Sequence, residues 1–221
     1  IGERLSQASG VSKGDRVSVE TMVPCGACRS CLTGVYKFCT SPTRVRYGIG
    51  LLISHPPGIW GSYGQYMYLA PGTVMHKVAE DVPLEAAVLT NAVIANGIQW
   101  TRMMAQVSIG DTVVVQGAGP QGMAQVIAAA ESGAYPIIIT GLSSDEHRLA
   151  LAKEFGAHYT IDVTKEDVVR RVTEITDGEM ADVVVDVTGS PEALVKSIDL
   201  ARPGGTVVSA GLMGDAVATI T

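Results

Sequence analysis

Residues 112–141 read TVVVQ, GAGPQG, MAQVIAAAESGAY and PIIITG in unbroken succession, and this stretch constrains the fold more than any other. TVVVQ is a continuous apolar run, the pattern of a strand covered on both faces. MAQVIAAAESG places Met123, Val126, Ile127 and Ala130 on one helical face, and PIIIT is a second buried strand. Between the first strand and the helix, Gly117, Gly119 and Gly122 stand in G-x-G-x-x-G spacing. Each glycine has a distinct reason: Gly117 for the tight turn, Gly119 for close backbone approach to a pyrophosphate, Gly122 for helix–strand packing. The helix N-terminus adds free N–H groups and a positive dipole end. The spacing alone carries little weight; with a strand before it and a helix after it, it predicts dinucleotide binding.

The alternation continues. A helix is expected from Asp145 to Phe155, ended by Gly156, then a strand near 158–161 and a helix across 165–175. A strand at DVVVDV (182–187), a helix across 191–200 and a strand at TVVSA (206–210) follow. This is a right-handed βαβ series, hence an α/β fold with a doubly wound parallel (Rossmann) sheet. Ligands of such sheets lie at the carboxyl ends of the strands. VTGS (187–190) and AGLMG (210–214) fall at such ends, although glycines there also serve plain turns. The expected cofactor contacts are Gly117, Gly119, Pro120, Gln121, Gly122, Gly141, Ser143, Arg148, Thr188, Gly189, Ala210 and Gly211. An acidic residue at the end of the second strand normally holds the adenosine ribose of NAD. Here that strand runs into Gly141, with Ser143, Ser144 and Arg148 beyond it, which tilts the expectation to NADP; Asp145 keeps NAD open.

All four cysteines lie in one fifteen-residue window, spaced Cys25-x2-Cys28-x2-Cys31-x7-Cys39. Pro24, Gly26 and Gly34 let such a segment wrap around a small ion, and four thiolates suit tetrahedral zinc. Disulfides, an iron–sulfur cluster and unliganded thiols are the competing assignments. The bacterial ferredoxin run has a shorter last gap followed by proline, which is absent here. With all four positions filled by thiolate, the metal is expected to be structural. The formal net charge of −6 argues against nucleic acid or an anionic membrane as partner, and no apolar run is long enough for a membrane span. The chain begins with Ile and shows no basic-then-apolar leader, so it reads as a piece of a longer, cytoplasmic protein.

The landmarks occur in a recognisable order: GDRV (14–17), the cysteine lobe (25–39), GSYGQYMYLAPGTVMHKVAEDVPLEAAVL (61–89), the glycine turn, LAKEFGAHYTIDV (151–163), ADVVVDVTGS (181–190) and ARPGGTVVSAG (201–211). Together they resemble the zinc-containing alcohol dehydrogenase group of the medium-chain dehydrogenase/reductase superfamily. The resemblance implies a GroES-like β-barrel catalytic domain with a structural-zinc lobe over residues 1–90. It implies a Rossmann domain over 91–221. It also implies hydride transfer between NAD(P) and a small alcohol or carbonyl substrate, assisted by a catalytic zinc, in a homo-oligomer. Three departures bear on that. The family's first catalytic-zinc ligands match positions upstream of residue 1. Its third, usually Cys or Glu, falls on Asn91, a poor zinc ligand. The chain also stops at Thr221, before the family's last Rossmann strand, so the 221 residues alone are expected to turn over little substrate. A zinc-independent reductase and a non-catalytic dinucleotide-binding protein are the alternatives.

Other residues carry weaker expectations. His76 reads as a surface residue of a strand, and Tyr66 and Tyr68 as one face of another. His55, Trp60 and Tyr63 belong to a loop that either meets substrate or packs on itself, and Asn96-Gly97 is a guess at a nicotinamide neighbour.

Overall fold

Short, interrupted apolar runs give short strands, and the first part of the chain has only such runs. The chain divides into two units, Ile1–Asn91 and Ala92–Thr221. The computed structural model describes residues 10–49, 51 and 53–220. In the first unit β1 (Val17–Val19) pairs antiparallel with β4 (Met75–Lys77), and β2 (Met22–Val23) with β3 (Val45–Arg46). Val23, Tyr47, Trp60 and Ala70 form its main buried cluster. Helix α1 (Arg29–Leu32) carries part of the cysteine lobe, and α2 (Leu84–Leu89) lies near the end of the unit.

A small apolar core is held by polar ties. The Tyr47 hydroxyl accepts from the Ala70 N–H at 2.7 Å and lies 2.5 Å from Thr73 Oγ1, which itself donates to the Ala70 carbonyl. Trp60 is buried, donates Nε1–H to the His55 carbonyl at 2.9 Å and meets Tyr68 edge-on at 5.1 Å. The Trp60 loop therefore packs on itself. Tyr66 is exposed whereas Tyr68 packs against the core, and no ladder includes 66–68, so the two tyrosines do not share a strand face. His76 is exposed on β4, as its place in the sequence suggested.

The second unit is built on a five-stranded parallel sheet. Its strands are β5 (Val113–Gln116), β6 (Ile137–Gly141), β7 (Tyr159–Asp162), β8 (Ala181–Asp186) and β9 (Ala201–Ser209), in the order β7-β6-β5-β8-β9. Ahead of them comes a short helix, α3 (Ala95–Gly97). The connecting helices are α4 (Pro120–Glu131), α5 (Glu146–Glu154), α6 (Val168–Ile175) and α7 (Pro191–Leu200). Val113, Val115, Ile137, Ile139, Val183 and Val185 pack with α4 and α5 residues on one face. Val114, Ile138, Ile161 and Val184 pack with Val168, Val172 and Leu200 on the other. Both faces are covered, which is why these strands read as unbroken apolar runs.

Two boundaries differ from the sequence expectation. Helix α6 starts at Val168, not 165, because Asp167 caps it by accepting the Arg170 N–H at 2.8 Å, while Thr164 and Lys165 are drawn to Asp162. Strand β9 starts at Ala201, not 206, following β8 back through an irregularity at Ala181/Val183, where Arg202 pairs with Asp182 at 2.6 Å. Gly97 serves helix packing: a Cβ there would lie 2.4 Å from the Ala124 carbonyl oxygen of α4, and nearby Thr101 donates to buried Gln125 at 2.7 Å. No described helix is long and apolar enough to cross a membrane.

Candidate cofactor cleft and metal centre

The order of the sheet reverses at β5, which is flanked by β6 on one side and β8 on the other, and a crevice opens where such connections diverge. There the chain forms a cavity of about 640 Å³. Gly117, Ala118 and Gly119 line it from the glycine turn, Gly141 from the end of β6, Arg148 from α5, and Thr188 and Ser190 from beyond β8. The three turn glycines divide their work as their spacing predicts. Gly117 has φ +106°, and a Cβ there would lie 3.2 Å from Thr188 Cγ2. A Cβ on Gly122 would lie 1.8 Å from the Gly117 carbonyl oxygen, so no side chain fits under the turn. Gly119 is different: it caps α4 with extended backbone, and a Cβ would meet nothing within 4 Å. Its space faces the cavity, beside the first-turn N–H groups of α4 that have no partner within the helix.

The other expected contact residues have partners of their own, inside the cleft or outside it. Pro120 occupies the first turn of α4, where a missing N–H costs nothing. Gln121 turns away and donates to the Ala92 carbonyl at 2.9 Å. Ser143 donates to Asp162 Oδ2 at 2.6 Å and contacts Thr164 Oγ1 at 2.6 Å. Those donors, Ser143 first, hold the Asp162 carboxyl well below the usual range. Arg148 lines the cleft but pairs with Asp145 at 2.9 Å. Gly189 and Gly211 pack on each other, since a Cβ on Gly211 would lie 2.2 Å from the Gly189 nitrogen. Ala210 and Gly211 donate their N–H groups to the Asp186 carbonyl at 2.9 and 3.1 Å.

Sequence reasoning did not pick out Gln116, Glu166 or Lys196, which also line the cleft, and reached Ser190 only as the end of VTGS (187–190). Ser190 carried a signal: Ser before Pro-Glu is a helix start, and it does cap α7, accepting the Ala193 N–H at 3.4 Å. Gln116 carried none, because it closes an apolar strand; it donates to the Ala193 carbonyl at 2.8 Å and to Ser197 Oγ at 2.6 Å.

In the first unit the sulfurs of Cys25, Cys28, Cys31 and Cys39 all lie within 4.8 Å of one another. Cys31 Sγ stands 3.8 Å from Cys25 Sγ and 3.4 Å from Cys28 Sγ. Tetrahedral zinc with bonds of about 2.3 Å requires sulfur–sulfur edges of roughly 3.8 Å, so the donor set fits the metal. The Ala27 and Cys28 N–H groups hold the Cys25 thiol down at about 6, whereas loss of water pushes Cys31 up to about 12. Among the described residues no other group of three or more His, Cys, Asp or Glu gathers ligand atoms this way. Asn91 donates Nδ2–H to the Val19 carbonyl at 2.7 Å.

Comparison with known proteins agrees with this architecture. Residues 1–80 match the model of the alcohol dehydrogenase GroES-like domain, and residues 120–220 that of zinc-binding dehydrogenases. The chain is 43% identical to the "Probable alcohol dehydrogenase adh" of Mycobacterium tuberculosis, over 97% of this chain and 58% of that protein. It is 35% identical to the L-threonine 3-dehydrogenase of Pyrococcus furiosus, over 92% of this chain and 54% of that one. The crystal structure of an alcohol dehydrogenase from Thermotoga maritima superposes with a TM-score of 0.83 at 31% identity, covering 95% of this chain and 56% of that one. The chain thus spans somewhat more than half the length of these relatives. On these grounds it belongs to the zinc-containing alcohol dehydrogenase family of the medium-chain dehydrogenase/reductase superfamily.

Proposed function

We propose that the protein is an oxidoreductase that moves a hydride between NAD(P) and a small alcohol or the corresponding carbonyl. In this reading residues 1–90 serve as the GroES-like catalytic domain and 91–221 as the dinucleotide domain. The observation that carries it is the open space at Gly119, facing a cavity of about 640 Å³ at the carboxyl ends of β5, β6 and β8. The first-turn N–H groups of α4 bind the pyrophosphate, while Gly117 and Gly122 keep the turn tight enough to present them. The nicotinamide ring, when bound, supplies the hydride acceptor or donor. Cys25, Cys28, Cys31 and Cys39 hold a structural zinc, which organises 25–39 and leaves no position for substrate. Four thiols reserved for metal suit the reducing cytoplasm, and a homo-oligomer is the assembly that the family resemblance implies.

The choice of dinucleotide follows from the adenosine end. Ser143 and Arg148, the groups that favoured NADP, are engaged by Asp162 and Asp145. Asp145, Glu166, Asp167 and Glu192 line the cleft against Arg148 and Lys196, so a 2′-phosphate would meet net negative charge. NAD is therefore the preferred cofactor in this reading, and NADP the competing one. A second reading, a reductase without catalytic zinc, draws support from Asn91, whose amide is engaged by the Val19 carbonyl. Zinc content separates the two when measured on a protein that includes the family's upstream ligand positions: two ions per subunit favour zinc-assisted chemistry, one favours the reductase.

The test of the site is a fluorescence titration of the chain with NADH and NADPH, repeated on Gly119→Val. The Gly119 backbone accepts any residue, so the variant keeps its melting temperature while its side chain occupies the pyrophosphate space. Dinucleotide affinity should fall at least tenfold, about the worth of one charge-assisted hydrogen bond. Equal affinity in both proteins would place the dinucleotide elsewhere.

A further inference from the structure

Asp186 ends β8 and is 1% exposed, and its Oδ2 has no hydrogen-bond partner among the described residues. Both donors that reach its carboxylate come to the other oxygen. The Thr188 N–H donates to Oδ1 at 2.9 Å, and the Thr188 hydroxyl donates to the same atom at 2.6 Å. The Ser190 N–H in turn donates to Thr188 Oγ1 at 3.0 Å. A threonine hydroxyl has one proton and two lone pairs. In Thr188 the proton is committed to Asp186 and one lone pair to Ser190, which leaves a single acceptor site. Thr188 is exposed and lines the cleft, and its methyl stands against Gly117 of the glycine turn.

We infer that Asp186 is a positioning residue that makes Thr188 an acceptor-only hydroxyl, so that this wall of the cleft recognises an N–H or O–H donor of the ligand and turns away phosphate and carbonyl oxygens. The inference rests on the cleft's being the dinucleotide site. In a dinucleotide the matching donors are the hydroxyls of the nicotinamide ribose and the amide N–H group of the ring. The adenosine diphosphate part has its own partners at Gly119 and beyond β6. The carboxylate is suited to this role because it carries no donor: a neutral side chain with an N–H there could reverse the direction of the Thr188 bond.

Dissociation constants for NADH, ADP-ribose and ADP, measured on wild type, Thr188→Val and Thr188→Ser, test this directly. Valine keeps the shape and methyl packing but removes the acceptor; serine keeps the acceptor. Thr188→Val should weaken NADH about tenfold, the worth of one hydrogen bond, and leave ADP unchanged, with Thr188→Ser restoring wild-type values. A matching loss for ADP-ribose assigns the donor to the ribose, and no loss for ADP-ribose assigns it to the ring amide; either supports the inference. An equal loss for all three ligands, or none for any, overturns it. Should Thr188→Val fail to fold, Thr188→Ala takes its place, since it removes the same acceptor with Asp186 left as it is. Wild type that binds ADP but gains nothing from NADH or ADP-ribose defeats the Thr188 assignment alone. Wild type that binds none of the three defeats the dinucleotide site and this inference with it.

Discussion

The two units of this chain reach order by opposite means. In the second, residues such as Val114, Ile138 and Val184 are wholly buried between a parallel sheet and helices on both faces, so apolar burial supplies most of the stability. In the first, the described strands are two or three residues long, the main cluster holds four buried residues, and polar ties around Tyr47 do much of the fixing. Four cysteines converge beside that thin core, within reach of one metal ion. The lesson is that a region whose apolar residues are scattered over short strands and loops, with a small buried cluster, gains from crosslinks that do not depend on burial. Each unit also contains one tryptophan, Trp60 in the first and Trp100 in the second, so fluorescence follows them separately once either is replaced.

That contrast can be broken or sharpened by experiment. The largest effect is expected from metal removal, since zinc bound at a four-thiolate site contributes on the order of 10 kcal/mol. Cys39→Ser, at the most buried ligand, should abolish zinc retention and lower the unfolding transition seen by Trp60, while the Trp100 transition stays put. A variant that retained zinc and melted unchanged would show that the first unit stands without its metal.

Next come paired core substitutions. Ile138→Ala should destabilise the second unit by about 2–5 kcal/mol, read from the Trp100 transition in urea. Tyr47→Phe leaves the buried Ala70 N–H without its acceptor and should cost the first unit about 1–3 kcal/mol, read from Trp60. If Tyr47→Phe proved silent, the polar ties would be ornament and the contrast would reduce to the metal alone.

The smallest effect concerns acid. Asp162 is held below its ordinary value by Ser143 and then Thr164, so its contribution to stability is complete above the ordinary aspartate pKa of about 4. It fades as the pH falls from there toward the lower folded value. Asp162→Asn should be slightly less stable than wild type at pH 7, and the gap should shrink below pH 4 in urea midpoints taken across that range. A gap that stayed constant with pH would mean the carboxylate charge contributes nothing.

Much of the second unit was legible because its physics is local and periodic. Unbroken apolar runs predicted β5, β6 and β8, and the glycine spacing predicted which position stays open and which is filled. The start of α6 was not legible, since Lys165 and Glu166 look helical while Asp162, at the end of β7, claims the turn that follows it. The face of Tyr66 and Tyr68 was misread for a related reason: alternation alone cannot tell a strand from an extended loop packed on Trp60.

What the sequence determined by itself is the parallel sheet, the glycine turn and the four-thiolate donor set, each written in adjacent residues whose spacing fixes geometry. Only the tertiary structure decided which hydroxyls are free. Ser143 and Thr188 look alike as neighbours of strand ends. Yet one is bound to Asp162 outside the cleft lining and the other is turned by Asp186 into an acceptor within it. Hydrogen-bond direction depends on partners brought together by the fold, and no spacing in the chain encodes it.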